Sequence, residues 1–152
     1  MTQDIKNTVQ SFFAAIDARD WAHAQELMTD PFHLDYSSFG AGPGKDLDPA
    51  DILNGWKAIL PGFDVTQHHL GPFNIDTHGD TATVRASVIA THQIAGAQGG
   101  EIWTVYGDYT LKLVRNTGWK LSANRFNFRF LTGNGELPAR AQARCAAQGD
   151  TV

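Results

Sequence analysis

The sequence predicts a single α+β domain in which helices come first and a block of long antiparallel strands follows. Apolar residues recur at helical spacing near the N-terminus, and beyond about residue 65 the pattern changes to alternating apolar and polar residues. A third observation is length, because 152 residues are enough for one domain with its own hydrophobic core.

The first helix is predicted over residues 4–18, where apolar residues three and four positions apart form one strongly apolar face. These residues are Ile5, Val9, Phe12, Phe13 and Ile16. Asp20 is typical of the residue that caps the N-terminus of a helix, so we expect a second, short helix from Trp21. Met28 belongs to the buried side of this helix, and Pro31 ends it.

Between residues 32 and 62 the sequence predicts a strand, a loop and a helix. Residues 32–36 alternate between apolar and polar side chains, which indicates a strand. A loop rich in glycine follows over residues 40–44. Asp48 and Pro49 then predict a helix start, because a capping residue followed by proline at the first helical position is common there, and Pro61 ends that helix.

Extended segments fill the second half of the domain. Four strands are predicted, over residues 65–76, 81–94, 101–114 and 119–130. The polar and glycine-containing residues 77–80 and 116–118 predict tight turns between neighbouring strands. Strands joined by short turns pair antiparallel, so this half of the chain is expected to form a sheet.

The tail differs in composition from the body, which divides the chain into a domain of residues 1–130 and a tail of residues 131–152. Residues 138–148 are rich in Ala and Arg, and Leu137, Ala141 and Cys145 recur at intervals of four. Two interpretations stay open at this point. The tail is either a short helix that packs over the body and covers a pocket, or a frayed end.

Composition argues against several classes of function. The formal net charge is -4 and no cluster of Lys and Arg stands out, which argues against a nucleic-acid surface. No apolar run is long enough to span a bilayer, and the N-terminus lacks the pattern of a signal peptide, so we expect a cytoplasmic protein without membrane contact. Cys145 is the only cysteine, which excludes an internal disulfide.

Four residues supply the groups that proton transfer needs, namely an acid, two imidazoles and a phenol. They are Asp17, His68, His92 and Tyr36. His92 shares its strand face with small residues such as Ala86 and Ala90, which leave room for a ligand inside a curved sheet. A histidine on an apolar face needs a partner, because burying an unpaired polar group costs free energy.

Some roles stay open on the residues alone. The carboxylate of Asp17 can orient a neighbouring imidazole, it can itself be the base, or it can be an exposed helix residue. His69 is expected to point away from His68, because successive side chains on a strand alternate between faces. No pair of histidines has the spacing of a metal site, so we expect neither a metal nor a cofactor.

Several short motifs follow one another in a family-specific order. They are Asp17-Ala18-Arg19-Asp20-Trp21, Leu34-Asp35-Tyr36-Ser37-Ser38-Phe39, Gln67-His68-His69 and Thr91-His92-Gln93. Over residues 4–130 the chain resembles the SnoaL-like group of the nuclear transport factor 2-like superfamily and, within it, the scytalone dehydratases. The resemblance implies a cone, in which a curved antiparallel or mixed sheet wraps around the N-terminal helices.

The resemblance also implies which residues form the pocket. Asp17, Tyr36, His68 and His92 correspond to the catalytic polar residues. We expect further substrate contacts from Phe39, Trp56, Ile16, Val88, Tyr106 and Asp108. The chain departs from the dehydratases in two places. Ile16 stands where they have a tyrosine, and Tyr106 and Asp108 stand approximately where they have Ser and Asn.

The function that this resemblance implies is a cofactor-free dehydratase-like lyase or an isomerase acting on a small, apolar, oxygenated ring compound. His68 would take a proton next to a carbonyl, Asp17 would orient it, Tyr36 would polarise the carbonyl, and His92 would bind or protonate the leaving hydroxyl. The alternative is a non-catalytic binding or assembly module of the same fold. Because the outer side of such a sheet needs covering, we also expect a homodimer or homotrimer.

Overall fold

The structure is a computed structural model that describes residues 2–149. In this part of the chain the helices are α1 (Thr2–Asp17), α2 (Trp21–Glu26), α3 (Pro49–Lys57) and α4 (Leu137–Gly149), with short 3₁₀ turns at Ser37–Phe39 and Leu60–Gly62. The strands are β1 (Met28–Asp35), β2 (Lys45–Leu47), β3 (Val65–Leu70), β4 (Asn74–His78), β5 (Thr81–Gln93), β6 (Ile102–Arg115) and β7 (Trp119–Gly133). None of the described helices is both long and apolar enough to cross a membrane.

One curved, unclosed sheet contains all of these strands. Its order is β2-β1-β7-β6-β5-β3, and β4 also pairs with β5. The pair of β1 and β7 is parallel and the other pairs are antiparallel, so the sheet is mixed. The register of β6 against β7 shifts at Tyr106/Gly107 and at Lys112/Leu113. Such irregularities bend a strand, which helps this sheet to curve around the helices.

The core lies between α1 and the inner face of the sheet. Ile5, Val9 and Phe12 on α1 are fully buried, as the helical spacing predicts. Along β5 every second side chain is buried from Ala82 to His92, which is the period of a strand with one face inward. Burial of a large apolar side chain contributes about 1.5–3 kcal/mol, so this interface is a main source of stability.

The N-terminal half differs from the prediction at β1 and β2. The second helix ends at Glu26, and Met28 begins β1 instead of packing as part of the helix. Pro31 lies inside β1, where the register against β7 shifts between Met28 and His33. A strand tolerates proline at such an irregularity because no ladder hydrogen bond is lost there. The strand β2, which was not predicted, pairs with β1.

The predicted strand over residues 65–76 is two strands. β3 ends at Leu70 and β4 begins at Asn74, and both pair with β5. Pro72 lies in the break and has no N–H to donate, so the ladder cannot continue through it. The predicted long strands β5, β6 and β7 are confirmed, with β7 extending to Gly133.

The tail forms the helix α4, and residues 150–152 of the predicted tail lie outside the described residues. Leu137 and Ala141 are fully buried in a second apolar cluster with Phe63 and Ile94. Helix α4 packs closely on the 3₁₀ turn Leu60–Gly62, because a Cβ at Gly62 would collide with the carbonyl oxygen of Ala141. The tail thus packs on the body next to the cavity described below, without lining it.

Several apolar side chains are exposed on the outside of the sheet. They include Ile89, Ile102 and Phe130. Such a surface is compatible with self-association, and the homodimer or homotrimer expected from the sequence stays a prediction.

Because α4 packs directly on Gly62, a single methyl group added at this position should strongly lower the stability of the protein. Gly62→Ala should lower the free energy of unfolding by about 1–3 kcal/mol, because the added Cβ collides with the backbone of α4. Gly55→Ala is the control, since a Cβ there meets nothing within 4 Å and alanine favours a helix by about 0.5–1 kcal/mol. Urea unfolding of both variants checks this, and equal stability of the two would contradict the packing.

Candidate active site

A cavity of about 130 Å³ lies between the helices and the inner face of the sheet. It is lined by Phe13, Ile16, Tyr36, Phe39, Trp56, Leu60, His68, Ala90, His92, Trp103, Val105, Tyr109 and Phe126. Most of these side chains are aromatic or aliphatic, and the polar ones are two histidines and two tyrosines. A cavity of about 150 Å³ holds benzene, so the space suits one small ring.

The Asp17–His68 dyad joins the end of α1 to β3. The Nδ1 of His68 lies 2.7 Å from Oδ1 of Asp17, and the backbone N–H of His68 donates to Oδ2 at 2.8 Å. A carboxylate can only accept, so Nδ1 carries the proton of this hydrogen bond. The other ring nitrogen, Nε2, therefore remains for a ligand in the cavity that His68 lines.

Asp17 is ionised at neutral pH. Burial raises the pKa of Asp17, but the hydrogen bonds and charge of His68 and the hydroxyl of Thr66 outweigh this effect and hold the pKa below its usual value. A carboxylate in this position fixes the tautomer of the imidazole and stabilises its protonated form. Of the roles left open for Asp17, the geometry matches the orienting one.

His92 lies in different surroundings from His68. Its ring is 6% exposed, and the centroids of Phe63 and Trp103 are 4.8 Å and 4.6 Å away. Burial lowers the pKa of His92 to about 4, so the ring is neutral at neutral pH. Its Nδ1 lies 3.1 Å from the carbonyl oxygen of Trp103 and must donate to it, which leaves Nε2 as an acceptor.

Two phenols, one buried and one partly buried, face each other at the cavity wall. Tyr36 follows β1 directly, and Tyr109 lies on the inner face of β6. Burial raises the pKa of both tyrosines, so both are neutral hydroxyl groups. Each ring lies 5.5 Å from the ring of Phe126, and Tyr109 also stacks on Phe13 at 4.9 Å.

Most of the predicted site residues come together. The cavity is lined by His68, His92, Tyr36, Ile16, Phe39 and Trp56, and Asp17 lies directly behind His68. Val88 faces inward, but it is packed in the core and does not line the cavity.

Tyr106 and Asp108 are not brought to the cavity, contrary to the expectation. Tyr106 stacks on Phe130 at 4.2 Å, and Asp108 accepts hydrogen bonds from Asn127 and Arg129. The physical reason is that side chains alternate between the two faces along β6. Val105, Gly107 and Tyr109 occupy inward positions, so Tyr106 and Asp108 face outward.

Tyr109 is the polar cavity residue that the sequence analysis missed. Alternation along β6 carries the signal, since Val105, Tyr109 and Leu111 are separated by even numbers of residues and all face inward. Gly107, on the same face, leaves space for the ring of Phe126, because a Cβ there would lie 2.7 Å from it.

A second, more open cavity of about 560 Å³ lies outside the first, between α1 and β3. Its lining includes Gln10, Gln67 and His69, together with Asp17, His68 and Phe13. Solvent can therefore approach the Asp17–His68 dyad from outside while a ligand fills the inner cavity. No group of three His, Cys, Asp or Glu side chains in residues 2–149 is arranged to hold a metal ion.

Residues 2–125 match the model of the SnoaL-like domain family. The chain belongs to this family. No protein among the curated ones matches the chain. The match over these residues confirms the resemblance that the motifs predicted.

Solved structures show the same fold. The Kfla4162 protein from Kribbella flavida has a TM-score of 0.84 at 23% identity, over 91% of this chain and 96% of that chain. The "Putative Scytalone Dehydratase" from Novosphingobium aromaticivorans has a TM-score of 0.73 at 20% identity, over 88% and 87%. The hexachlorocyclohexane dehydrochlorinase LinA-type3 from Novosphingobium barchaimii has a TM-score of 0.72 at 14% identity, over 88% of this chain and 90% of that chain. The predicted nuclear transport factor 2-like fold is confirmed.

The buried state of His92 predicts an acid-sensitive fold. In the unfolded chain a histidine binds its proton below its ordinary pKa of 6.5, whereas folded His92 stays neutral down to about 4. Between these values the unfolded state binds more protons, so the contribution of His92 lowers the free energy of unfolding as the pH falls. The decrease in the free energy of unfolding that His92 causes is at most about 3 kcal/mol, and there is no decrease above the ordinary pKa of histidine.

Urea unfolding between pH 4 and pH 7 measures the slope of the free energy of unfolding against pH. His92→Gln should flatten it, while His78→Gln, which changes an exposed histidine at the end of β4, should keep it. An unchanged slope in His92→Gln would show that His92 is not the buried neutral group.

Proposed function

We propose that this protein is a cofactor-independent lyase or isomerase that moves a proton next to a carbonyl group in a small, apolar, cyclic substrate. The observation that carries this proposal is the Asp17–His68 dyad, in which Asp17 occupies Nδ1 of a histidine ring that lines a cavity with mostly apolar walls. Structural neighbours that carry the names dehydratase and dehydrochlorinase support an elimination.

His68 is the proposed general base. Its Nε2 takes the proton from the carbon next to the carbonyl, and the carboxylate of Asp17, 2.7 Å from Nδ1, stabilises the imidazolium that forms. The low dielectric of the apolar cavity strengthens this interaction. A positioned base of this kind is worth about 10²–10⁴ in rate.

The two phenols are the proposed partners of the carbonyl oxygen. Because Tyr36 and Tyr109 are neutral, their hydroxyl groups can donate to an oxygen on which negative charge develops. Tyr109 comes from β6, so this chain has two phenols at the cavity although Ile16 occupies the position where the dehydratases have one.

His92 is proposed to accept a hydrogen bond from a substrate hydroxyl. The ring is neutral and its proton is committed to the carbonyl oxygen of Trp103, so His92 is suited to hold a leaving hydroxyl but not to protonate it. In an elimination the proton that His68 has taken then leaves with the hydroxyl as water, and a C=C bond forms. In an isomerisation His68 returns the same proton to another carbon.

The first experiment is a thermal-shift screen at neutral pH against cyclic ketones, hydroxylated aromatics, and terpenoid and steroid ketones. The volume of about 130 Å³ favours ligands with one ring. A ketone that stabilises the protein is then incubated with it in D₂O, and NMR follows exchange of the hydrogen next to the carbonyl. Stabilisation without exchange or turnover by any ligand would favour the alternative, a non-catalytic binding module.

Replacement of the base separates catalysis from binding. His68→Ala should reduce exchange or turnover by about 10²–10⁴, because the general base is lost, while the thermal shift caused by the ligand remains. His69→Ala is the matched control, since the neighbouring ring is exposed. Equal activity of His68→Ala and wild type would rule out His68 as the base.

Replacement of the phenols tests the oxygen-binding end. Tyr36→Phe should lower the rate by about 10²–10³, because one donor to the developing oxyanion is removed. Tyr109→Phe should act in the same direction, whereas Tyr106→Phe, on the outer face of β6, should be neutral. Full activity of both Tyr36→Phe and Tyr109→Phe would exclude the phenols from the mechanism.

A further inference from the structure

We propose that Arg19 and Thr66 are positioning residues, and that they hold the carboxylate of Asp17 in the orientation that His68 requires through a chain of two hydrogen bonds. The catalytic importance of these residues rests on the proposed function. Arg19 and Thr66 themselves do not line the cavity, so they would not touch a ligand in it.

The chain of hydrogen bonds runs in one direction only. Nη1 of Arg19 donates to Oγ1 of Thr66 at 2.7 Å, and a guanidinium group cannot accept. The hydroxyl of Thr66 must therefore use a lone pair for Arg19, which leaves its proton for Oδ1 of Asp17 at 3.1 Å. The same Oδ1 accepts from Nδ1 of His68 at 2.7 Å.

These contacts prevent the carboxylate from rotating. Oδ1 of Asp17 accepts from Thr66 and from the ring of His68, and Oδ2 accepts from the backbone N–H of His68. Without the hydroxyl of Thr66, Oδ1 loses the contact that is independent of His68, and the carboxylate can turn about its Cβ–Cγ bond. Thr66 is 4% exposed, so a water molecule cannot easily replace that hydroxyl.

Arg19 is held in place by the segments that meet at the dyad. Its backbone φ is 61°, in the left-handed region that residues other than glycine seldom occupy. Its guanidinium donates to the carbonyl oxygens of Ile16 at the end of α1 and of Leu60 in the 3₁₀ turn, at 3.2 Å and 2.7 Å. Ile16 and Leu60 line the cavity, so one side chain connects the dyad to the cavity wall.

The hydroxyl group of Thr66 lies between the cation of Arg19 and the carboxylate of Asp17, and this placement has a chemical consequence. Among the ion pairs of residues 2–149, none joins Arg19 directly to Asp17. A direct pair would occupy the carboxylate with a permanent cation and reduce its ability to stabilise an imidazolium. Through Thr66, Arg19 orients the carboxylate while its negative charge remains available to His68.

Thr66→Val tests this arrangement, because valine has nearly the same shape and lacks the hydroxyl. NMR should show a raised pKa of the Asp17 carboxyl, since a hydrogen bond that lowers it is lost, and a weakened signal of the His68 Nδ1–H proton. The kcat should fall about tenfold with little change in KM, as is typical when an outer hydrogen-bond partner is removed. Thr66→Ser, which keeps the hydroxyl, should restore all three values.

Arg19→Gly is the second variant, because glycine accepts a positive φ, so the side chain with its guanidinium is removed without new backbone strain. It should change the two NMR signals in the same direction as Thr66→Val. Wild-type signals in both variants would overturn the positioning role. The NMR measurements need no substrate, so a wild-type protein without activity would contradict the proposed function and leave this result unaffected.

Discussion

The contact between Asp17 and His68 is the constraint on which the rest of the site depends. It joins the last residue of α1 to β3, so it ties the helical layer to the sheet at the edge of the cavity. A partly buried carboxylate next to an apolar cavity is stable only if its charge is compensated, and the ring and backbone of His68 supply most of that compensation. The contact that stabilises this junction therefore also leaves Nε2 of a ring that lines the cavity out of the hydrogen bond to Asp17.

The two histidines of the cavity show how surroundings determine chemistry. His68 has an ionised partner, whereas His92 has a backbone carbonyl and two aromatic rings. A carboxylate partner stabilises the charged form of an imidazole, whereas for His92 burial outweighs the hydrogen bond to the carbonyl oxygen of Trp103 and lowers the pKa. The same residue type thus provides the proposed base at one side of the cavity and a neutral hydrogen-bond acceptor at another.

The C-terminal helix contributes to the site without entering it. Leu137 and Ala141 pack on Phe63, and Phe63 lies against His92. The 3₁₀ turn beneath α4 also carries Leu60, whose side chain lines the cavity and whose carbonyl oxygen accepts from Arg19. Helix α4 therefore stabilises the segment that holds His92 in its apolar surroundings, which explains why a glycine is required at position 62.

Local periodicity and short motifs are enough to predict the order of the helices and long strands, the family, and the inward direction of His68, His92 and Tyr36. They do not determine the split at Pro72, the pairing of β2, or the inward position of Tyr109 instead of Tyr106 and Asp108. These depend on which strands meet and at which register, and a shift of one residue exchanges the two faces of a strand. The chain of hydrogen bonds from Arg19 through Thr66 to Asp17 likewise forms only when the protein folds, since it joins groups 47 and 49 residues apart.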